Sequence, residues 1–343
     1  MATSPNTIYV LALDGGGMKG YNSATFLKRF VTQWGIPQNE LWKNFDVICG
    51  TSIGGIQAAG YGYGLTPQDL RDFFVNDGPS IFSTNPSVPG VRASVVYKIN
   101  VMLTGGSFYP NTNLIAKLND VFGTLKMEDL KTNVLMPSYN FDTDTPVFFS
   151  NYALPEYSGR TEFIKNCTLA TGSAPLYFPK ATFGGSNYVD GGICQNNPEQ
   201  LGITFGRMLK PTATRIVVLS VGCGLGDIGF QESTGSSPVA ALQAYISALL
   251  PGFSIDNMYL LFSLIEKGIN GPQEITGMDV YMQDKYTLQN MHTYRFNYQL
   301  DPVKDTGLDN TSSDFIDYMN TATNARYDAD TSNITTFLGH LTA

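Results

Sequence analysis

Gly50-Thr51-Ser52-Ile53-Gly54 sets a serine midway between two glycines. That spacing suits a nucleophile on a sharp turn from a strand into a helix. Such a turn strains the backbone at the serine and brings neighbouring chain close, so the residues two positions either side must be small. Asp14-Gly15-Gly16-Gly17-Met18-Lys19-Gly20 is a second glycine-rich junction. Its backbone N–H groups suit a tetrahedral oxyanion. Gly15, Gly17 and Gly20 also satisfy the glycine-x-glycine-x-x-glycine spacing, so a nucleotide-binding module stays open. That module needs an acidic residue ending a second strand roughly 20 positions on. Glu40 lies in range but opens Glu40-Leu41-Trp42-Lys43-Asn44, which is no strand end. Lys19 is either an anion-stabilising charge or a solvated first-turn lysine. Asp190-Gly191-Gly192, taken alone, reads as a turn.

A serine nucleophile needs a base. The chain has two histidines, His292 and His340, both late in the sequence. Ser52, Asp190 and His292 follow the chain order of α/β-hydrolase triads, which supports a histidine-dependent carboxylesterase acting on small soluble esters. The other option is a carboxylate that takes the serine proton directly. A scaffold that keeps the fold without turnover is a further reading, and the intact Ser52 and Asp190 speak against it.

The elements that must position these groups are legible as apolar runs. Ile8–Leu13 reads as a buried strand feeding the first glycine run, and Tyr21, Ala24, Leu27, Val31 and Trp34 give a helical face after it. Phe45–Cys49 is a second buried strand, followed by a small-residue helix around Gln57 to Gly60. Thr66-Pro67-Gln68-Asp69 starts another helix. Residues 76–110 are apolar but broken by proline and glycine, and read as a cap over a cleft. Further on, helices are expected over Asn113–Phe122, Thr161–Ala170, from Asn197, and over Val239–Leu250 and Met258–Lys267. Strands are expected at Val134–Met136, Val147–Phe149 and Ile216–Val221. Continuous apolar strands alternating with helices indicate a mostly parallel sheet covered on both faces. One domain over 1–343 is expected, with a motif-bearing core of about 8–225 and a helical part of about 230–343.

Of the 343 residues, 43% are hydrophobic and 15% charged, which excludes a mainly disordered chain. A net charge of -8, with no run of lysine or arginine, argues against binding a nucleic-acid polymer. Cys49, Cys167, Cys194 and Cys223 are far apart and read as reduced thiols, not a disulfide framework. No apolar stretch reaches the ~18 residues of a membrane span, so a cytoplasmic protein is expected.

Taken together, the segments Asp14–Gly20, Gly50–Gly54 and Asp190–Gly192 resemble the patatin-like phospholipases in order, type and spacing. Ala170-Thr171-Gly172-Ser173-Ala174-Pro175-Leu176-Tyr177-Phe178-Pro179 also resembles that family's segment before its Asp-Gly turn. The resemblance covers roughly residues 8–225. It implies a three-layer α/β/α sandwich and a Ser–Asp dyad without histidine. Ser52 is then the nucleophile and Asp190 the base, with the oxyanion held by the Gly15, Gly16 and Gly17 amides. Gly20, Gly50, Gly54, Gly191 and Gly192 are the motif glycines. Lys19 stands where the family often has arginine, keeping the charge without the planar fork. The implied activity is hydrolysis of fatty-acyl esters of phospholipids through an acyl-enzyme, with no cofactor and no metal. The implied partner is a phospholipid or membrane surface, met by transient association, with room for an activator or an oligomer. Some bacterial members of the family are delivered effectors, and others are switched on by a cyclic-nucleotide signal.

Overall fold

The computed structural model describes residues 4–152, 159–226, 273–287, 290–304 and 306–342. Its strands are β1 (Thr7–Leu13), β2 (Val47–Gly50), β3 (Asn133–Asn140), β4 (Thr145–Ser150), β5 (Ala181–Phe183), β6 (Ser186–Asp190), β7 (Arg215–Val221) and β8 (Met291–Phe296). They form one sheet in the order β5-β6-β3-β2-β1-β7-β8, with β4 also paired to β3. The run β3-β2-β1-β7-β8 is parallel. The pairings of β4, β5 and β6 are antiparallel.

Every residue of β1 is buried. Side chains alternate between sheet faces, and both faces of β1 are apolar. Tyr9, Leu11 and Leu13 join a cluster with Phe26, Leu27 and Phe30 of the helix Gly20–Trp34. Ile8, Val10 and Ala12 join a second cluster with Ile203 and Phe205 of the helix Glu199–Leu209. The result is the expected three-layer α/β/α sandwich around a mostly parallel sheet. The helix Gly20–Trp34 stops at Gly35, whose φ of 75° is left-handed. Pro67–Asp72 starts from a capping box between Thr66 and Asp69, as its sequence indicates.

One detail of pairing positions the chemistry. β2 is only four residues long and pairs with Asn133–Leu135 of β3. Beyond that point β6 joins β3, with Asp190 opposite Ser138. The end of β6 therefore arrives just past the end of β2. The chain that leaves β2 through Ser52 and the chain that leaves β6 at Asp190 emerge at one place on the sheet.

The C-terminal part departs from the helical reading. β8 lies there and extends the parallel sheet beside β7. The polar tail is also ordered, as the helices Ser313–Ala329 and Thr331–Thr342. The first is capped by Ser312 and buries Phe315, Met319, Thr323 and Tyr327. That stripe carries one inward residue per turn, so it reads as polar when scanned by composition. The expected helices Val239–Leu250 and Met258–Lys267 lie outside the described residues. The region 76–110 contains the helices Gly78–Ile81 and Val95–Thr104. All four cysteines are free thiols. Among the described residues no helix is long and apolar enough to cross a membrane.

Candidate active site

Ser52 sits between β2 and the helix Ile53–Tyr63 with φ 56° and ψ -125°. A non-glycine residue held there is strained, and the surroundings must enforce it. They do so by backbone contact. A Cβ on Gly50 would lie 2.0 Å from the Gly54 carbonyl oxygen, and one on Gly54 would lie 2.3 Å from that of Leu13. The Ser52 N–H donates to Thr171 Oγ1 at 3.0 Å, and Thr51 Oγ1 donates to the Gln195 carbonyl at 2.6 Å.

Asp190 is buried, its carboxyl accepts the Gly192 N–H at 2.7 Å, and it lines the same cleft as the Ser52 side chain. Burial pushes its pKa up to about 7, while the nearby Ser52 side chain and the Gly192 N–H pull it down. Gly191 fits under this turn because a Cβ there would meet the Pro137 carbonyl oxygen at 2.3 Å. The two motifs, distant in sequence, thus meet in one cleft, with the serine near a carboxyl that burial pushes towards neutrality.

The glycine run after β1 lies beside them. Gly15, Gly16, Gly17 and Lys19 line the same cleft as Ser52 and Asp190. The Gly15 amide is already donated to the Asn196 carbonyl at 3.1 Å. Among the described residues, no hydrogen bond engages the Gly16 and Gly17 amides. Of the three expected oxyanion donors, the Gly15 amide is the one with a partner among the described residues. Gly17 adopts φ 56°, and a Cβ there would lie 2.4 Å from the Leu308 carbonyl oxygen. Gly20 opens the following helix against the Phe74 ring. Lys19 is 5% exposed, so the solvated reading of that residue falls away.

The other walls are apolar: Ile53, Ile56, Phe73, Phe74, Ile81, Phe82, Leu114 and Phe178 among them. Of the expected cap, Gly78, Ile81 and Phe82 line the cleft. The Phe108 and Tyr109 amides instead donate to the carbonyls of Leu176 and Tyr177, bracing a second wall.

The histidines are elsewhere. His292 registers with Val217 and Val217 with Tyr9, near the amino end of β1. At ~3.3 Å per residue, four residues of strand separate that level from Leu13 by about 13 Å. The His292 ring stacks on His340 with centroids 3.9 Å apart, in a polar pocket shared with Asp284 and Asp330. Burial and the neighbouring His340 lower the His292 pKa. Glu40, the acid a nucleotide reading requires, is paired at the surface with Lys43 at 2.5 Å.

Sequence reasoning missed the support beneath the glycine run. Asp14, fully buried at the end of β1, accepts Arg295 Nη2 at 2.6 Å and Nη1 at 3.3 Å. Arg295 Nη1 also donates to Ser220 Oγ at 2.7 Å. The buried Glu199 faces the same arginine, and its pKa is pushed up to about 7 by burial. Asp14 carried a signal, as an acid directly before three glycines; Arg295 carried none. Among the described residues no group of His, Cys, Asp and Glu has the makeup of a metal site.

A family model described as patatin-like phospholipase matches residues 11–203, more than half of the chain. The chain belongs to the patatin-like phospholipase family. Among patatin-like relatives, the cGAMP-activated phospholipase of Vibrio cholerae is 31% identical over 254 residues, covering 70% of each chain. The cGAMP-activated phospholipase of Pseudomonas aeruginosa is 32% identical over 219 residues. That match covers 63% of this chain and 62% of the relative, so the chain spans less than two thirds of its length. Of the solved structures, VipD from Legionella pneumophila aligns at 14% identity with a TM-score of 0.42, covering 94% of this chain and 68% of that one. All of the cleft motifs from Asp14 to Asp190 fall within the patatin-like match.

Proposed function

We propose that this patatin-like phospholipase hydrolyses fatty-acyl esters of phospholipids through a Ser52–Asp190 dyad. The observation that supports the reading is that the strained Ser52 and the buried Asp190 face one apolar cleft together. Ser52 attacks the ester carbonyl as Asp190 takes its proton. The Gly16 and Gly17 amides receive the oxyanion, with Lys19 adding positive charge nearby. Asp190 then returns the proton to the leaving alcohol. Water, activated by Asp190, releases the fatty acid from Ser52. An ordinary aspartate near 3.9 is a weak base for this task. Exclusion of water raises its proton affinity, and a well-held oxyanion makes the transfer favourable. The apolar walls take the acyl chain.

The test is fatty-acid release from defined phospholipid vesicles, run with and without cGAMP because two relatives are named as activated by it. Ser52→Ala should abolish release, and a fluorophosphonate should label the wild type and not the variant. Near wild-type release by Ser52→Ala would remove the nucleophile assignment.

A further inference from the structure

Away from the dyad, one buried carboxylate gathers three partners from the cap. Asp309 is fully buried. Its Oδ1 accepts Arg92 Nη2 at 2.6 Å and Nε at 2.9 Å. Its Oδ2 accepts Lys98 Nζ at 2.6 Å and the Tyr109 hydroxyl at 2.7 Å. All three donors come from residues 92–109, and the Tyr109 hydroxyl also accepts the Ala93 N–H at 3.0 Å. Two cations share this one buried anion.

The residue before Asp309 touches the glycine run. The Leu308 carbonyl accepts the Met18 N–H at 2.8 Å, which fixes the peptide that follows Gly17. Leu308 also fills the space a Gly17 side chain would need, and it lines the cleft with Gly17 and Met18. One short stretch therefore holds the cap through its side chain and the oxyanion loop through its backbone.

We propose that Asp309 is a positioning residue that makes seating of the cap and assembly of the oxyanion donors a single event. A fully buried carboxylate does not release Arg92, Lys98 and the Tyr109 hydroxyl without being left uncompensated itself. Lifting residues 92–109 therefore shifts Asp309 and Leu308 with them, and the Gly17–Met18 peptide loses its anchor. The consequence for rate rests on the hydrolase reading; the mechanical coupling does not.

The experiment compares the full chain with Asp309→Asn, Lys98→Met and Tyr109→Phe. Two quantities are read: kcat and KM on a short soluble ester, normalised to fluorophosphonate-titrated sites, and amide hydrogen exchange of residues 15–19 and 92–109. The expected result is a kcat per titrated site lower by roughly 10–100-fold in Asp309→Asn and Lys98→Met, as for a partly misplaced oxyanion donor. KM should change far less, and exchange should rise in both segments together. Tyr109→Phe, which removes one hydroxyl and no charge, should move both readouts the same way by less, and it carries the test if the charge variants do not fold. Exchange rising in 92–109 alone, or an unchanged kcat per titrated site, would overturn the coupling. A wild type that neither labels at Ser52 nor releases product would overturn the hydrolase reading instead. In that event the exchange pattern alone decides the coupling.

Discussion

Burial holds the Asp190 carboxyl at about 7, against an ordinary 3.8. Two consequences follow with opposite signs. As a base, Asp190 acts only when ionised, so kcat/KM should fall as pH drops through about 7, giving an ascending limb there. As a structural group it prefers to be neutral in the fold. Its contribution to stability is then full below the unfolded pKa near 4 and is lost as pH rises from 4 through 7. Each pKa unit is worth about 1.4 kcal/mol, so the loss amounts to a few kcal/mol. Asp190→Asn keeps an oxygen for the Gly192 N–H and cannot ionise. Thermal melts should show it inactive yet more stable than wild type at pH 8, with the difference vanishing near pH 4. A variant less stable than wild type at pH 8 would show that the ionised carboxylate is held comfortably. Ser52 was legible because its glycines mark where backbones nearly touch, whereas Asp190-Gly191-Gly192 reads alone as a turn and was legible only through the family resemblance. Engagement of the Gly15 amide by Asn196 was not, because it depends on where the chain after β6 returns.

At the scale of elements, the glycine run is held from below by an arginine on β8. Asp14 is fully buried, and Arg295 is its ion-pair partner at 2.6 Å. Removing one member of such a pair typically costs ~3–5 kcal/mol. Arg295→Met should approach the lower figure, because Asp14, whose pKa burial already raises, can answer by taking up a proton. The expected result in urea unfolding at pH 7 is a lower midpoint with an unchanged slope, and a smaller difference at pH 4. An unchanged midpoint would mean the pair contributes no net stability. β1 and β2 and the helices that follow them were readable, because the strands are continuous apolar runs and Gly20–Trp34 carries a clear helical stripe. β6, which ends in Asp190, and the short helix Gly78–Ile81 were not, and neither was β8. Met291, His292, Thr293, Tyr294, Arg295 and Phe296 include few apolar residues, since β8 is the last strand of the sheet among the described residues, is only partly buried, and turns Arg295 inward to Asp14. The role of Arg295 exists only after β8 docks on β7, 281 residues from Asp14 in sequence.

Across the whole molecule, the sheet gathers its chemistry at the carboxyl ends of β1 and β2, and the chain between and after them walls in an apolar cleft. Ile56 stands one turn beyond Ser52 and lines that cleft. Ile56→Trp should shorten the space for an acyl chain, cutting turnover of long-chain esters by more than ~10-fold while a butyrate ester changes little. Equal effects on both lengths would place the acyl chain elsewhere. The three-layer architecture and the family were both visible in the ordered motifs from Asp14 to Asp190. The polar C-terminal helix Ser313–Ala329 and the Asp309 cluster were not, because they are built from contacts between distant stretches.

The central claim is that a carboxylate, and no histidine, takes the Ser52 proton. The direct measurement is fatty-acid release from phospholipid vesicles by Asp190→Asn and by the double variant His292→Ala/His340→Ala, each with folding checked by circular dichroism. The account predicts a loss of at least ~10³-fold for Asp190→Asn, as for other removed bases acting in a unit, and most of the wild-type rate for the histidine variant. Retained activity in Asp190→Asn, or a loss in the folded histidine variant matching that of Ser52→Ala, would contradict it.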